Sequence, residues 1–262
     1  MASSLILIRM RPLLLLTIFF SLNAYSSEEI IQHKFYTLNY NEEHEVANWV
    51  SYELDHAKIQ NCVKRSNSFR ADPLVSTGSA VASDYKGSGF DRGHLVPAGD
   101  MKFTSQAMKE TFFFSNMTPQ PGPFNQGRWG QLEHLMRSWA LKYKKIWIVT
   151  GPILNQNLPV IGKQNQISVP DEYYKVILRQ NGSTYEGMAF LMHTDVPYKD
   201  LAAYATTIDK VEDLSGFDFF QFLKDDVEEA VEKRADLGKW DFNAKFEYLP
   251  CQALEDQSQM SY

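Results

Sequence analysis

Apolar and polar positions along this 262-residue chain fall into short blocks of differing period, which predict strands and helices interleaved. Residues 49–54 alternate loosely and predict a strand. Residues 67–86 are rich in Ser, Asp, Gly and Pro and predict a long loop, a kind of segment that is often functional. Residues 90–96 predict a strand stopped by Pro97, with Gly93 letting the backbone approach a ligand or take an unusual dihedral. Residues 105–114 have helical spacing. Residues 117–123 are expected to be irregular, because Pro119, Pro121 and Pro123 oppose regular pairing.

The clearest helix follows. Asn125 suits an N-cap, and Trp129, Leu132, Met136, Trp139 and Tyr143 recur at three- and four-residue steps. At about 100° per residue, Glu133 lies about 80° round from Asn125 and roughly two turns along, so both can serve one site. Residues 146–149 predict a short buried strand ending at Gly151-Pro152. Residues 173–179 and 185–192 predict a hairpin across an Asn-Gly turn. Residues 201–208 fit neither period cleanly, and residues 225–234 predict an acidic helix. No linker and no repeat interrupts residues 27–262, so one domain is expected there.

The first residues form a different pattern. Arg9 and Arg11 precede an apolar run over 13–22, broken only by Thr17 and Ser21, and Ala24-Tyr25-Ser26 follows. This is the layout of a secretory signal peptide over 1–26. The run is half the ~20 residues that a membrane anchor needs, so a secreted or periplasmic chain is expected. Cys62 and Cys251 are the only cysteines. In an exported chain they favour one disulfide over two unpaired thiols.

The whole chain has a net charge of −6, an odd balance for a partner of polyanions, but the charge is segregated. Residues 58–145 hold 13 Lys/Arg against six Asp/Glu, whereas residues 209–262 hold six against fourteen. Phosphate binding depends on the local field, so the basic segment is the one to search.

That segment contains Asp91-Arg92-Gly93-His94, then Asn116, Asn125 and Glu133. Cleaving a phosphodiester needs a base for water, a cation for the developing charge and an arginine for the phosphate. His94 is the candidate base, since an ordinary imidazole is neutral and proton-accepting near neutral pH. Zinc is disfavoured, because the six histidines are scattered and no His/Cys cluster occurs. Asn125 is the candidate metal ligand. A hard ion on one amide oxygen stays mostly hydrated, which suits Mg²⁺. Glu133 would orient water on that metal. Arg92 points to the phosphate or to an ion pair with Asp91. Asp91 itself reads as structural, because a carboxylate aimed at the phosphate would repel it. Phe112, Phe113, Phe114, Trp129, Trp139 and Trp147 could stack on bases, but their spacing fits core packing better.

Residues 87–94 (Gly-Ser-Gly-Phe-Asp-Arg-Gly-His), 115–120, 124–127, Leu132-Glu133 and 149–152 (Val-Thr-Gly-Pro) resemble the DNA/RNA non-specific endonuclease family, over about residues 49–214. That family includes the Serratia-type nuclease and endonuclease G. The resemblance implies an α+β, ββα-metal nuclease fold: an antiparallel β-sheet core flanked by helices, with the histidine on a β-finger and a metal-site helix. It implies a Mg²⁺-dependent hydrolase, with Mn²⁺ able to substitute, that cuts DNA and RNA to 5′-phosphate ends. It places Asn116 beside the active site, where it would hydrogen-bond the phosphate or the histidine. It also implies a phosphate arginine before Asp72-Pro73. Arg65 and Arg70 both precede that pair, and the endonuclease G-like spacing favours Arg65. Two rivals remain: a nuclease fold that binds nucleic acid or a protein without cutting, and a sequence-specific homing-type nuclease. The first would have lost His94 or Asn125, and neither is lost. The second would carry a DNA-reading domain, and none is visible. Assembly as a monomer or a homodimer is open.

Overall fold

The computed structural model describes residues 28–195 and 199–252, so the expected signal peptide lies outside the described residues. Seven antiparallel strands form one sheet, in the order β1 (Glu28–Gln32), β2 (Thr37–Asn41), β3 (Val46–Asp55), β6 (Lys145–Pro152), β9 (Glu172–Asn181), β10 (Thr184–His193) and β11 (Ala205–Thr206). The hairpin β9–β10 turns at Gly182, which has φ +62° and so needs no Cβ. Two small ribbons lie apart from the sheet: β4 (Asp91–His94) with β5 (Met117–Gln120), and β7 (Val160–Ile161) with β8 (Ile167–Ser168).

Period-two alternation gives the sheet two buried faces. Tyr52, Leu54, Ile146, Ile148, Ile177 and Phe190 face a core shared with α4 (Gly130–Tyr143), which contributes Leu132, Met136 and Trp139. Full burial of Leu132 and Met136 contributes about 1.5–3 kcal/mol each. Val149, Val176, Leu178 and Ala189 face a second core covered by α5 (Ile208–Ser215) and α6 (Asp225–Glu232). The short helices α1 (Ala82–Tyr85), α2 (Ser105–Glu110) and α3 (Gly122–Phe124) lie in the segments before α4. Among the described residues no helix is long and apolar enough to cross a membrane.

Three expectations change. Residues 117–120 are a strand despite Pro119. Leu95 N–H donates to Asn116 C=O at 3.1 Å, so alternation makes Arg92/Pro119 a pair without ladder bonds, and the missing N–H costs nothing. The helix expected over 105–114 stops at Glu110, because Arg70 takes the following backbone: its N–H donates to Phe112 C=O and its C=O accepts from Phe114 N–H. Asn125 is not an N-cap. The helical run starts at Gly122, with Pro123 tolerated in its first turn, and Asn125 has helical φ/ψ. A wide π-type turn, Asn125–Trp129, then joins α3 to α4 around Gly127 (φ −96°, ψ −106°).

Cys62 and Cys251 form a disulfide with Cα atoms 4.8 Å apart. Beside it Leu249 N–H donates to Ile59 C=O, so the C-terminal segment is fastened to the body at two levels. Phe112, Phe113, Phe114, Trp129 and Trp139 are buried core residues, as their spacing suggested, and Trp147 is partly buried.

Candidate active site

The finger β4–β5 presents His94, and Gly93 makes the finger tight. A Cβ on Gly93 would lie 2.2 Å from the Gln120 side chain across the ribbon. His94 retains 7% exposure, and Nε2 is enclosed with no hydrogen-bond partner. Nδ1 is therefore the ring nitrogen that water can reach. Phe112 meets the imidazole edge-on at 5.1 Å and Phe69 lies 6.0 Å away, so aromatic side chains wall it from solvent. Burial, and then the positive charges of Arg65 and Arg92, push its pKa down to about 3. The neutral imidazole is enforced here rather than inherited from its ordinary value.

Arg92 makes no ion pair with Asp91. Its guanidinium lies 3.8 Å above the Phe69 ring, and its charge bears on His94. Asp91 instead accepts from Asn125 Nδ2 at 3.0 Å and from Gln126 Nε2 at 2.9 Å. Asn125 Oδ1 has no hydrogen-bond partner among the described residues. A metal needs an oxygen presented in this way, and a neutral, singly tethered amide fits a hydrated hard ion.

Arg65 and Arg70 separate cleanly. Arg65 lies over Phe112 at 5.0 Å, and its charge is felt by both His94 and Glu133. Arg70 stacks on Phe113 at 4.0 Å and donates to the backbone carbonyls of Lys109 and Ser68 at 2.9 and 3.1 Å. Arg65 thus belongs to the histidine's surroundings and Arg70 to the scaffold.

Asn116 does not reach toward substrate or histidine. Its Oδ1 accepts from Val96 N–H, and its Nδ2 donates to the carbonyls of Val96 and Thr111. Fully buried, it locks the backbone two residues after His94.

Glu133 lies on α4, beyond the π-type turn, and is partly exposed although protein surrounds it closely. Burial pushes its carboxyl up; Arg137, Lys175 and Arg65 oppose that and Asp100 adds to it. Behind it sits a set of buried charges that sequence reasoning missed. Arg137 Nη1 donates to Asp100 Oδ1 at 2.7 Å, and Tyr52 Oη donates to Asp100 Oδ2 at 2.8 Å. Lys175 is fully buried, donates to Thr150 Oγ1 at 3.1 Å and lies 4.6 Å over Trp129. Burial pushes its pKa down. The available signal was a lysine inside an otherwise apolar predicted strand.

A finger-borne histidine set against a helix-borne asparagine, on an antiparallel sheet, defines a ββα-metal nuclease. The DNA/RNA non-specific endonuclease model matches residues 18–226, and the chain belongs to that family of metal-dependent nucleases. It is 35% identical to Nuclease C1 of Cunninghamella echinulata var. echinulata, over 74% of this chain and 84% of that one. It is 32% identical to a nuclease of Nostoc sp., over 77% and 76% of the two chains. It is 34% identical to the mitochondrial nuclease EXOG of Homo sapiens, over 72% of this chain but 56% of that one. A chain of a solved EndoG/EndoGI complex superposes with a TM-score of 0.69 at 28% identity. The match covers 76% of this chain and 88% of that one.

Proposed function

We propose that this nuclease is a Mg²⁺-dependent, sugar-non-specific endonuclease that hydrolyses DNA and RNA to 5′-phosphate products. The observation that carries the reading is the pairing of His94, whose Nε2 is enclosed so that Nδ1 is left to water, with the unpartnered Asn125 Oδ1, on elements joined by Asp91. His94 Nδ1, the ring nitrogen open to water, takes a proton from the attacking water. Arg65 and Arg92 hold the phosphate from the histidine side. Asn125 would hold hydrated Mg²⁺, with Mn²⁺ as a substitute; when bound, the ion supplies Lewis acidity toward the phosphate and the leaving 3′ oxygen. Glu133 would accept hydrogen bonds from water held around that ion. Asn116 acts through the backbone, by holding the segment that follows His94. Weak sequence preference follows from reading phosphates rather than bases.

Export is part of the proposal, since relatives include mitochondrial nucleases as well as others. The apolar leader and the disulfide support it. The test is incubation of the chain lacking residues 1–26 with supercoiled plasmid and with RNA, in Mg²⁺ and in EDTA. Degradation of both substrates in Mg²⁺ alone, with 5′-phosphate ends, is expected. Intact substrate in every lane would favour a nuclease fold that binds nucleic acid without cutting it.

A further inference from the structure

The acidic C-terminal part plays no role in the site above. Residues 209–232 contain nine Asp/Glu and two Lys, and five of these carboxylates converge where α5 and α6 meet. Carboxylate oxygens of Asp209, Glu212 and Glu232 lie within 4.8 Å of one another, as do those of Asp218, Glu228 and Glu232. Glu232, common to both sets, is only 7% exposed, and its Oε1 is enclosed with no hydrogen-bond partner. The same is true of Glu228 Oε1. Among the described residues none of the five forms an ion pair within 4.0 Å.

An acidic helix face ordinarily points its carboxylates into water. Burying Glu232 among four others adds desolvation to like-charge repulsion; Phe219 N–H donates to Glu212 at 2.8 Å, but Glu232 Oε1 has no partner to offset either. We infer that these five carboxylates form a site for a divalent, oxygen-seeking cation of Ca²⁺ type, distinct from the catalytic centre. Ca²⁺ takes six to eight oxygens at about 2.3–2.6 Å, so its opposite ligands stand about 5 Å apart. Each group of three oxygens fits within such a shell, and Glu232, common to both groups, would bridge its two halves. Mg²⁺ prefers a tighter octahedron that keeps its own water, which a cluster of five carboxylates does not favour.

The position sets the consequence. Ile208, Val211 and Val231 bring α5 and α6 onto the sheet face that carries Val176 and Ala189. The helix bearing Glu133 packs on the opposite face. A cation here would tie α5 to α6 and act on stability rather than on chemistry.

Thermal unfolding of the full chain in EDTA and in excess CaCl₂ tests this. At a hundredfold excess over its dissociation constant, Ca²⁺ should raise Tm by about 5–10 °C. Asn125→Ala should keep that rise. Glu232→Gln and Glu228→Gln should lose it, while melting no lower than wild type in EDTA, because each removes a repelling charge. Calorimetric titration of Asn125→Ala with CaCl₂ should still register one ion, whatever the fate of the Glu variants. Absence of any Ca²⁺-dependent rise in wild type would overturn the site. So would an undiminished rise in Glu232→Gln, or no heat of binding in Asn125→Ala.

Discussion

Asp91 on the finger accepts a hydrogen bond from Asn125 Nδ2 on the helical run at 3.0 Å. A carboxylate can only accept, so the amide nitrogen must face Asp91 and the carbonyl oxygen must turn away from it. The finger therefore orients the group proposed to hold the metal. Asp91→Ala should lower kcat about 10–100-fold and raise the Mg²⁺ concentration needed for half-maximal activity. Asp91→Asn, which can still accept from Nδ2, should recover part of both. A metal titration of activity decides it: an unchanged Mg²⁺ requirement in Asp91→Ala would remove the proposed link.

His94→Ala should lower kcat by about 10²–10⁴, the usual cost of losing a general base, with nucleic-acid binding and Tm little changed. Asn125→Ala should lower activity and weaken its Mg²⁺ dependence together. Single-turnover kinetics at saturating substrate provide the measurement. Near-wild-type cleavage by His94→Ala would place the base elsewhere.

The acid limb of kcat/KM should belong to Glu133, not His94. With its pKa pushed down to about 3, His94 keeps its proton-accepting form through the mildly acidic range. Glu133 is pushed up by burial, so its carboxylate is lost as pH falls through a value above the ordinary range. Glu133→Gln should be slower and should lose this limb, or show it at lower pH. A wild-type limb retained in Glu133→Gln would return the titration to the histidine.

The two arginines before Asp72 should fail in different ways. Arg65→Ala should reduce kcat and flatten the salt dependence of activity, because its guanidinium is free of backbone bonds and faces His94 and Glu133. Arg70→Ala should lower Tm while leaving kcat close to wild type, because it loses the bonds to Lys109 and Ser68 and the Phe113 stack. Melting curves and salt titrations of both variants distinguish them, and the reverse pattern would exchange their roles.

Paired Cys62→Ser and Cys251→Ser substitutions should cost about 2–5 kcal/mol, because the bridge closes a span of 189 residues in the unfolded chain. Denaturant unfolding gives the value. Activity at 25 °C should survive, since the bridge holds the C-terminal segment and not the finger.

The sequence alone determined the long-period features of this protein. Strand β3, the β9–β10 hairpin, α4 and α6 each repeat one period long enough to outweigh local exceptions. His94 and Asn125 were equally legible as candidates for a base and a hard-ion ligand, because those capacities belong to side-chain type. Expectations failed at residues 117–120 and at Asn125, where propensity was read without knowing the partner strand or the first helical turn. Pro119 is harmless only because its nitrogen faces away from β4, and Asn125 is not a cap because the helical run already starts at Gly122.

Tertiary structure decided everything that depends on which side chains meet across long separations. The different surroundings of Arg65 and Arg70, the conversion of Asn116 from a reaching group to a backbone lock, and the partner of Asp91 are all of that kind. So are the depressed pKa of His94 and the meeting of five carboxylates on α5 and α6. Charge and hydrogen-bonding capacity are properties of a residue and can be read from its letter. Desolvation and partnership are properties of a place, and only the folded chain supplies the place.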